Sequence, residues 1–325
     1  MPSSSLDSCE QTASAVLMVR PCRFGWNAET AVSNAYQAPS LASDAQVQER
    51  ALREFEGLHR LLVQAGITVH VFDDVPTPHT PDALFPNNWF STHADGTLVL
   101  YPMATKSRRA ERRPHLLCAL RELGFARVID LRLHEDHGRF LEGTGSLVLD
   151  RRKRVAYAAR SVRTHPDVVA EFARAQGYRP VVFSTQTPQG QPVYHTNVVM
   201  AVGRTHAVVC LDAMFDPDER AQVTAALQES GREVVAISIA QMNNFAGNLL
   251  ELRGPDGAAI WVMSSRAHAA LLPEQRASLA RSATLLHTPL ATIEAVGGGS
   301  ARCMLAELFL RSPSVPSVPS RPTSR

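Results

Sequence analysis

Phe140-Leu141-Glu142-Gly143-Thr144-Gly145-Ser146-Leu147-Val148-Leu149 puts an acid and two glycines ahead of an apolar run. The run leads through the basic turn Arg151-Arg152-Lys153-Arg154 to a second strand-like segment, Val155 to Ala159. A helical pattern from Asp167 to Gln176 and a further strand, Arg179 to Phe183, complete the unit. The basic turn reads as a hairpin connection in solvent.

The order strand, turn, strand, helix, strand recurs on either side. Before it come Phe85 to Thr92, an Asp95-Gly96 turn, Thr97 to Tyr101, a helix through Leu116, Leu120 and Leu123, and Arg127 to Leu131. After it come Val193 to Met200, Ala207 to Leu211, a helix from Asp216 to Ser230, and Glu233 to Ile237. A further unit reads Asn243 to Leu252, the Pro255-Asp256-Gly257 turn, Ala259 to Met263, a helix from Pro273 to Ala283, and a strand from Ala291 to Val296. The N-terminal unit has a strand at Leu17 to Arg20, a helix from Gln46 to Ala65 and a strand at Ile67 to Phe72. The polar anchors Asn88, Glu142, His195 and Asn248 are 54, 53 and 53 residues apart. A fixed period of that size denotes repeated supersecondary units that bury their faces on one another. The fold class is therefore α/β, built from repeated ββαβ units. If the units circle an axis, their heads converge.

The converging residues are Asn87, Asn88, Glu142, His195, Asn197, Asn244 and Asn248. Gly297-Gly298-Gly299-Ser300-Ala301-Arg302-Cys303-Met304 adds a cysteine after a glycine run, which lets backbone approach a ligand closely. A thiol, an imidazole and a carboxylate are the parts of a covalent hydrolytic site. Taken singly, each reads as an ordinary core or turn residue; it is their repeat-equivalent placement that points to a site.

Composition narrows the remaining classes. With 325 residues, 45% hydrophobic and 20% charged, the chain can bury a large core. A net charge of +2, with no basic stripe among aromatics, argues against a nucleic-acid partner. The five cysteines are scattered without a CxxC, which excludes the usual zinc pattern and argues against a disulfide framework. No secretory leader or membrane-spanning stretch is read, so the expectation is a cytoplasmic protein. Residues 1–14 and 312–325 are expected to be disordered, flanking a single catalytic domain at 15–311.

The motifs resemble those of the arginine deiminase and amidinotransferase superfamily, guanidino-modifying enzymes with a five-fold pseudosymmetric α/β-propeller, the pentein fold. The resemblance runs from about Leu17 to Phe309. Phe140-Leu141-Glu142-Gly143 resembles the Leu-Glu-Gly-Gly-Asp motif and implies that Glu142 is the catalytic carboxylate. His195-Thr196-Asn197 resembles His-x-Asp, implying His195 as catalytic histidine. The Gly-Gly-x-x-x-Cys ending implies Cys303 as nucleophile. Ser161-Val162-Arg163-Thr164 and Ser107-Arg108-Arg109 resemble segments whose arginines bind the substrate carboxylate. No metal or organic cofactor is implied.

Two positions depart from the superfamily's pattern. Asn88 and Asn197 stand where relatives that hold a cationic guanidinium carry aspartates. Asparagine offers a donor and an acceptor without charge, which suits a neutral ureido group. The chain is therefore most similar to the citrulline utilisation hydrolase branch. The expected substrate is citrulline, split to ornithine, carbon dioxide and ammonia through a thiocarbamoyl intermediate on Cys303. Asn87, Asn88, Asn197, Asn248, Arg163 and Arg108 are expected to bind it. The alternative is a guanidino substrate, as for an arginine deiminase, a dimethylarginine hydrolase or an amidinotransferase. Two segments are candidates for a lid, Pro76 to Pro81 and Asn27 to Ala45, and a homodimer is left open.

Overall fold

A computed structural model describes residues 10–310 of the chain. Both expected disordered tails fall largely outside them, at residues 1–9 and 311–325.

Five three-stranded sheets follow one another. β1 (Ala15–Arg20) pairs in parallel with β2 (Thr68–Asp73). β3 (Phe90–Thr92), β4 (Thr97–Leu100) and β5 (Arg127–Asp130) form the next sheet. β6 (Val148–Asp150), β7 (Val155–Ala159) and β8 (Arg179–Phe183) form a third. β9 (Met200–Val202), β10 (His206–Val209) and β11 (Glu233–Ala236) make a fourth, and β12 (Leu250–Arg253), β13 (Ala259–Ser264) and β14 (Thr284–Thr288) a fifth. In the last four, an antiparallel hairpin is followed by a helix and a parallel strand, because a parallel return needs a crossover. The helices Pro114–Glu122, Pro166–Gln176, Pro217–Glu229 and Pro273–Ala280 all begin on proline, whose missing N–H costs nothing in a first turn. Asp44–Gln64 begins instead on a capping box between Ser43 and Gln46, and buries Val47, Ala51, Phe55, Leu58 and Leu62.

The first sheet is completed from the other end of the chain. β15 (Ala306–Leu308) pairs antiparallel with β1, Ala15 opposite Leu308. One unit is thus shared by the two termini. First strands of neighbouring sheets touch, β15 with β3, β6 with β9 and β9 with β12; β3, β6 and β15 are buried throughout, and β9 and β12 at all but their last residue. This is the expected five-unit ββαβ arrangement.

Three expectations are corrected. Ala291–Gly297 is a helix, not a strand; the last parallel strand is β14. The Glu54 carboxylate accepts the free N–H groups of Thr292 and Ile293 at 2.8 and 2.9 Å, and Ile293 and Val296 point into the core one turn apart. Arg151 is not in solvent: it is buried, with its guanidinium 4.0 Å from the Phe309 ring centroid, while the rest of the turn is exposed. The end of the N-terminal segment is ordered. Gln11 is buried and donates to Leu149 O at 2.9 Å and Val202 O at 3.2 Å, and its Oε1 accepts from Arg151 N at 2.8 Å. Near it the Asp150 carboxylate, fully buried, is gripped through both oxygens by Arg232.

Arg232→Ala leaves the Asp150 charge buried without its partner, so a loss of about 3–5 kcal/mol is expected. A urea unfolding curve measures it, and an unchanged midpoint would refute the assignment.

Candidate active site

Each first strand is entered through a short turn: Pro86–Asn88, Gly143–Ser146, Thr196–Val199, the bend ending at Asn248, and Ala301–Met304. Cys303 lies 55 residues after Asn248, so it is the fifth repeat-equivalent anchor. The turns pack on one another closely enough to need glycine. A Cβ on Gly145 would lie 2.4 Å from Asn88 Nδ2 and 2.7 Å from His195 Nδ1. Gly143 takes φ +46°, and a Cβ there would meet Asn87 O at 2.3 Å.

Glu142 is wholly buried at the convergence. Its Oε2 is 2.9 Å from His195 Nε2, 3.5 Å from Arg163 Nη1 and 4.0 Å from Arg108 Nη1, and its Oε1 accepts from Ala104 N at 3.1 Å. Burial alone pushes the carboxyl up; Arg163, His195 and Arg108 more than reverse this and hold it well below its ordinary range. Burial lowers His195 to about 4, against the pull of Glu142. Near neutrality the pair is therefore a carboxylate and a neutral imidazole. An ionised carboxylate only accepts, so Nε2 of His195 carries the proton and Nδ1 keeps a lone pair.

Cys303 is buried, 3% exposed, and its sulfur lies 3.3 Å from Asn248 Nδ2 and 3.6 Å from Asn197 Nδ2. Asn248 also accepts from Arg302 N at 3.1 Å and donates to Asn197 O at 3.0 Å. Two neutral amide groups thus face the thiol, and they suit a thiolate as donors.

A narrow cavity beside Cys303 and His195 is lined by Asn88, Arg108, Arg163 and Asp82. Arg108 is held bidentately by Glu111 at 2.8 and 3.0 Å, and donates to Asn88 Oδ1 at 2.6 Å. Asn88 Nδ2 is buried with no partner. Asp82 accepts from Asn27 at 2.8 Å and Thr30 at 3.0 Å through Oδ2, while its Oδ1 is buried and unpartnered. Burial raises the Asp82 carboxyl, with Arg108 and its hydrogen bonds opposing.

The segment from Asn27 to Ala38 covers this cavity. Arg163 Nη2 donates to Thr30 O and Ser33 Oγ, both at 2.8 Å. Gln37 donates to Gly297 O at 3.0 Å, and Ala38 N to Ala295 O at 2.8 Å. The second expected lid segment is therefore the one at the site.

The structure brings together Glu142, His195, Cys303, Asn88, Arg108 and Arg163. Three expected substrate ligands do not line the cavity. Asn197 and Asn248 face the sulfur instead, and Asn87 bonds Thr144 of the neighbouring turn at 3.3 Å. Asn244 is outside the site, paired with Arg266 and Ala240 O. Trp89 is core, packed on Phe90 with ring centroids 4.4 Å apart. Asp82 and Tyr194 line the cavity without having been singled out in the sequence; neither occupies an anchor position of the repeat. Among the described residues no cluster of three or more His, Cys, Asp or Glu side chains is arranged to hold a metal ion, and no helix is long and apolar enough to cross a membrane.

The family model described as N,N dimethylarginine dimethylhydrolase, eukaryotic, matches residues 20–310. The chain belongs to this family. It thereby falls among the guanidino-modifying pentein enzymes that its motifs resemble. Among solved structures it is similar to ArgZ, an arginine dihydrolase from the ornithine-ammonia cycle in cyanobacteria, with TM-score 0.72 and 20% identity. That match covers 94% of this chain and 42% of ArgZ. The isolated N-terminal domain of ArgZ, as a cysteine-to-serine mutant bound to substrate, matches with TM-score 0.72 and 19% identity over 92% of this chain and 98% of that domain. DDAH from Pseudomonas aeruginosa, a mutant complexed with citrulline, has TM-score 0.64 and 13% identity over 91% of this chain and all of its own. At these identities the structural likeness concerns the fold. A comparison with curated protein sequences returned no significant match.

Gly145→Ala drives a methyl group into Asn88 and His195, so turnover should fall by about 10²-fold or more, the usual cost of a 1 Å misplacement. Equal kcat values for variant and parent would show that this contact is relaxed without consequence. A pH effect follows from His195. Between its ordinary value near 6.5 and about 4, the unfolded chain binds a proton that the folded chain does not. Stability therefore falls as pH drops through that window. His195→Gln should shrink the drop in melting temperature from pH 6.5 to 4; an identical drop would place the proton uptake elsewhere.

Proposed function

We propose that the protein is a cysteine-dependent hydrolase of a ureido amino acid, citrulline, cleaving the bond between the ureido carbon and the δ-nitrogen. The observation that carries this is the orientation of Asn88. Arg108 can only donate, so the atom it touches at 2.6 Å is the Asn88 oxygen. What Asn88 has left is a donor, Nδ2. A ureido carbonyl oxygen can accept from it, whereas a guanidinium has only N–H groups and leaves it unpaired. The free oxygen of Asp82 can accept an N–H of the same ureido group.

The α-carboxylate docks on Arg163, which exchanges Thr30 O and Ser33 Oγ for it as the covering segment moves. Cys303 gives its proton to Nδ1 of His195, and its sulfur attacks the ureido carbon. Glu142 stabilises the imidazolium that forms. The C–N bond to the δ-nitrogen breaks as His195 returns the proton to it, releasing ornithine. A carbamoyl thioester remains on Cys303. Water, deprotonated by His195, attacks it, and the carbamate released decomposes to carbon dioxide and ammonia.

A specific observation supports a second reading, hydrolysis of a guanidino group. Asp82 is a buried carboxylate with a free oxygen, which a guanidinium would partner, and the family and ArgZ act on arginine-type substrates.

Ammonia and ornithine release is measured with citrulline and with arginine, using Cys303→Ala as blank. The expected outcome is release from citrulline and none from arginine. Release from arginine alone would overturn the citrulline reading in favour of the second. Asn88→Asp should depress citrulline turnover and raise that of arginine, because it replaces the free donor with charge.

A further inference from the structure

Tyr194 precedes His195, is buried, and lines the cavity. Four parts of the site meet on it. Its hydroxyl donates to Gly298 O at 2.5 Å. Gly298, at φ +64°, ends the helix Ala291–Gly297 and begins the turn into Cys303. Its ring lies 5.1 Å below the Arg163 guanidinium, within cation–π range. Its backbone oxygen accepts from Ser161 Oγ at 2.8 Å, and that hydroxyl accepts from Arg163 N at 3.1 Å. Tyr36, from the covering segment, packs edge-on at 5.9 Å, and the His195 ring lies 4.6 Å away.

Further along, the turn is fixed from the body of the fold by Asn248 Oδ1, which accepts from Arg302 N at 3.1 Å, and by Ser300 Oγ, which donates to Glu294 Oε1 at 2.6 Å; its glycines are held differently. Asn34, Gln37 and Ala38 bond Gly298 O, Gly297 O and Ala295 O, but all three belong to the covering segment. These three bonds would be lost together if that segment lifted to admit substrate. The bond from Tyr194 comes from the body of the fold and stays. Burial raises the tyrosine hydroxyl well above its ordinary range, so it remains a donor.

We propose that Tyr194 is a positioning residue with two separable functions: its hydroxyl holds the glycine turn that presents Cys303 while the cover is open, and its ring seats Arg163 for the substrate carboxylate. The inference rests on the hydrolase reading for its kinetic part only. The atoms that touch the reacting carbon are not those of Tyr194, so its effects pass through Cys303 and Arg163.

Two variants separate the functions. Tyr194→Phe keeps the ring and loses the hydroxyl. With whichever substrate the parent enzyme turns over, kcat should fall about tenfold or more while KM stays within about threefold, the scale of one lost hydrogen bond. Tyr194→Leu removes the ring as well, and KM should rise about tenfold in addition. A Phe variant with parental kcat, or two variants that change kcat and KM alike in step with a lowered melting temperature, would overturn the proposal. A second readout needs no substrate. Iodoacetamide labelling of the Cys303 peptide, followed by mass spectrometry, should be faster in Tyr194→Phe than in the parent, because the turn is looser with its bond at Gly298 gone. An unchanged rate would overturn the hydroxyl's assigned role even if neither citrulline nor arginine proved to be the substrate. A faster rate would support that role whatever the substrate.

Discussion

Glu142 carries a negative charge with no solvent around it, and the site is arranged to make that charge tolerable. Two arginines and a histidine surround one oxygen, and a backbone N–H meets the other. Isolated, such a carboxylate would be protonated rather than buried. The compensation comes from three separate places in the chain: Arg108 before the third unit's hairpin, Arg163 after it, and His195 at the head of the next. Holding them together forces neighbouring turns into contact, which explains why Gly143 and Gly145 cannot carry side chains. The charge also chooses the histidine tautomer. With Nε2–H committed to Glu142, the lone pair of Nδ1 is the group left for proton transfer.

Around this ionic centre the remaining polarity is neutral and directional. Arg108 is neutralised by Glu111 and spends one further N–H on Asn88, fixing which end of that amide is free. Asn197 and Asn248 turn their amide nitrogens toward the sulfur. Asp82 is the exception, a carboxylate raised by burial and left with one open oxygen. A donor at Asn88 and an acceptor at Asp82 are thus left without partners at the cavity.

The position of the Cys303 thiol depends on the closure of the ring. Cys303 heads β15, and β15 belongs to the same sheet as β1. The unit that supplies the thiol therefore exists only once the two ends of the chain have paired. Contacts of that sequence separation are costly to form early, because the intervening loop must first be closed. The covering segment follows β1 in the chain, so cover, thiol and ring closure share one structural unit.

The repeat was legible because its signals are local. Hairpin turns, prolines at helix starts and polar heads recur at near-equal spacing along the chain, and the thiol, imidazole and carboxylate stand at those heads. Where local signals were ambiguous the reading slipped: Ala291 to Val296 is apolar enough for a strand, and only Glu54 capping its N-terminus and β14 filling the sheet make it a helix. Gln11 looked like part of a polar tail, yet its amide fits a buried gap between Leu149, Val202 and Arg151. The roles of the asparagines were beyond the sequence for the same reason. Residue type says that an amide can donate and accept; which of its atoms stays free depends on partners brought in from other units, as Arg108 is to Asn88 and Cys303 is to Asn248. Periodicity along a chain encodes the units and their heads, while the pairing of polar atoms between heads exists only after the units have packed.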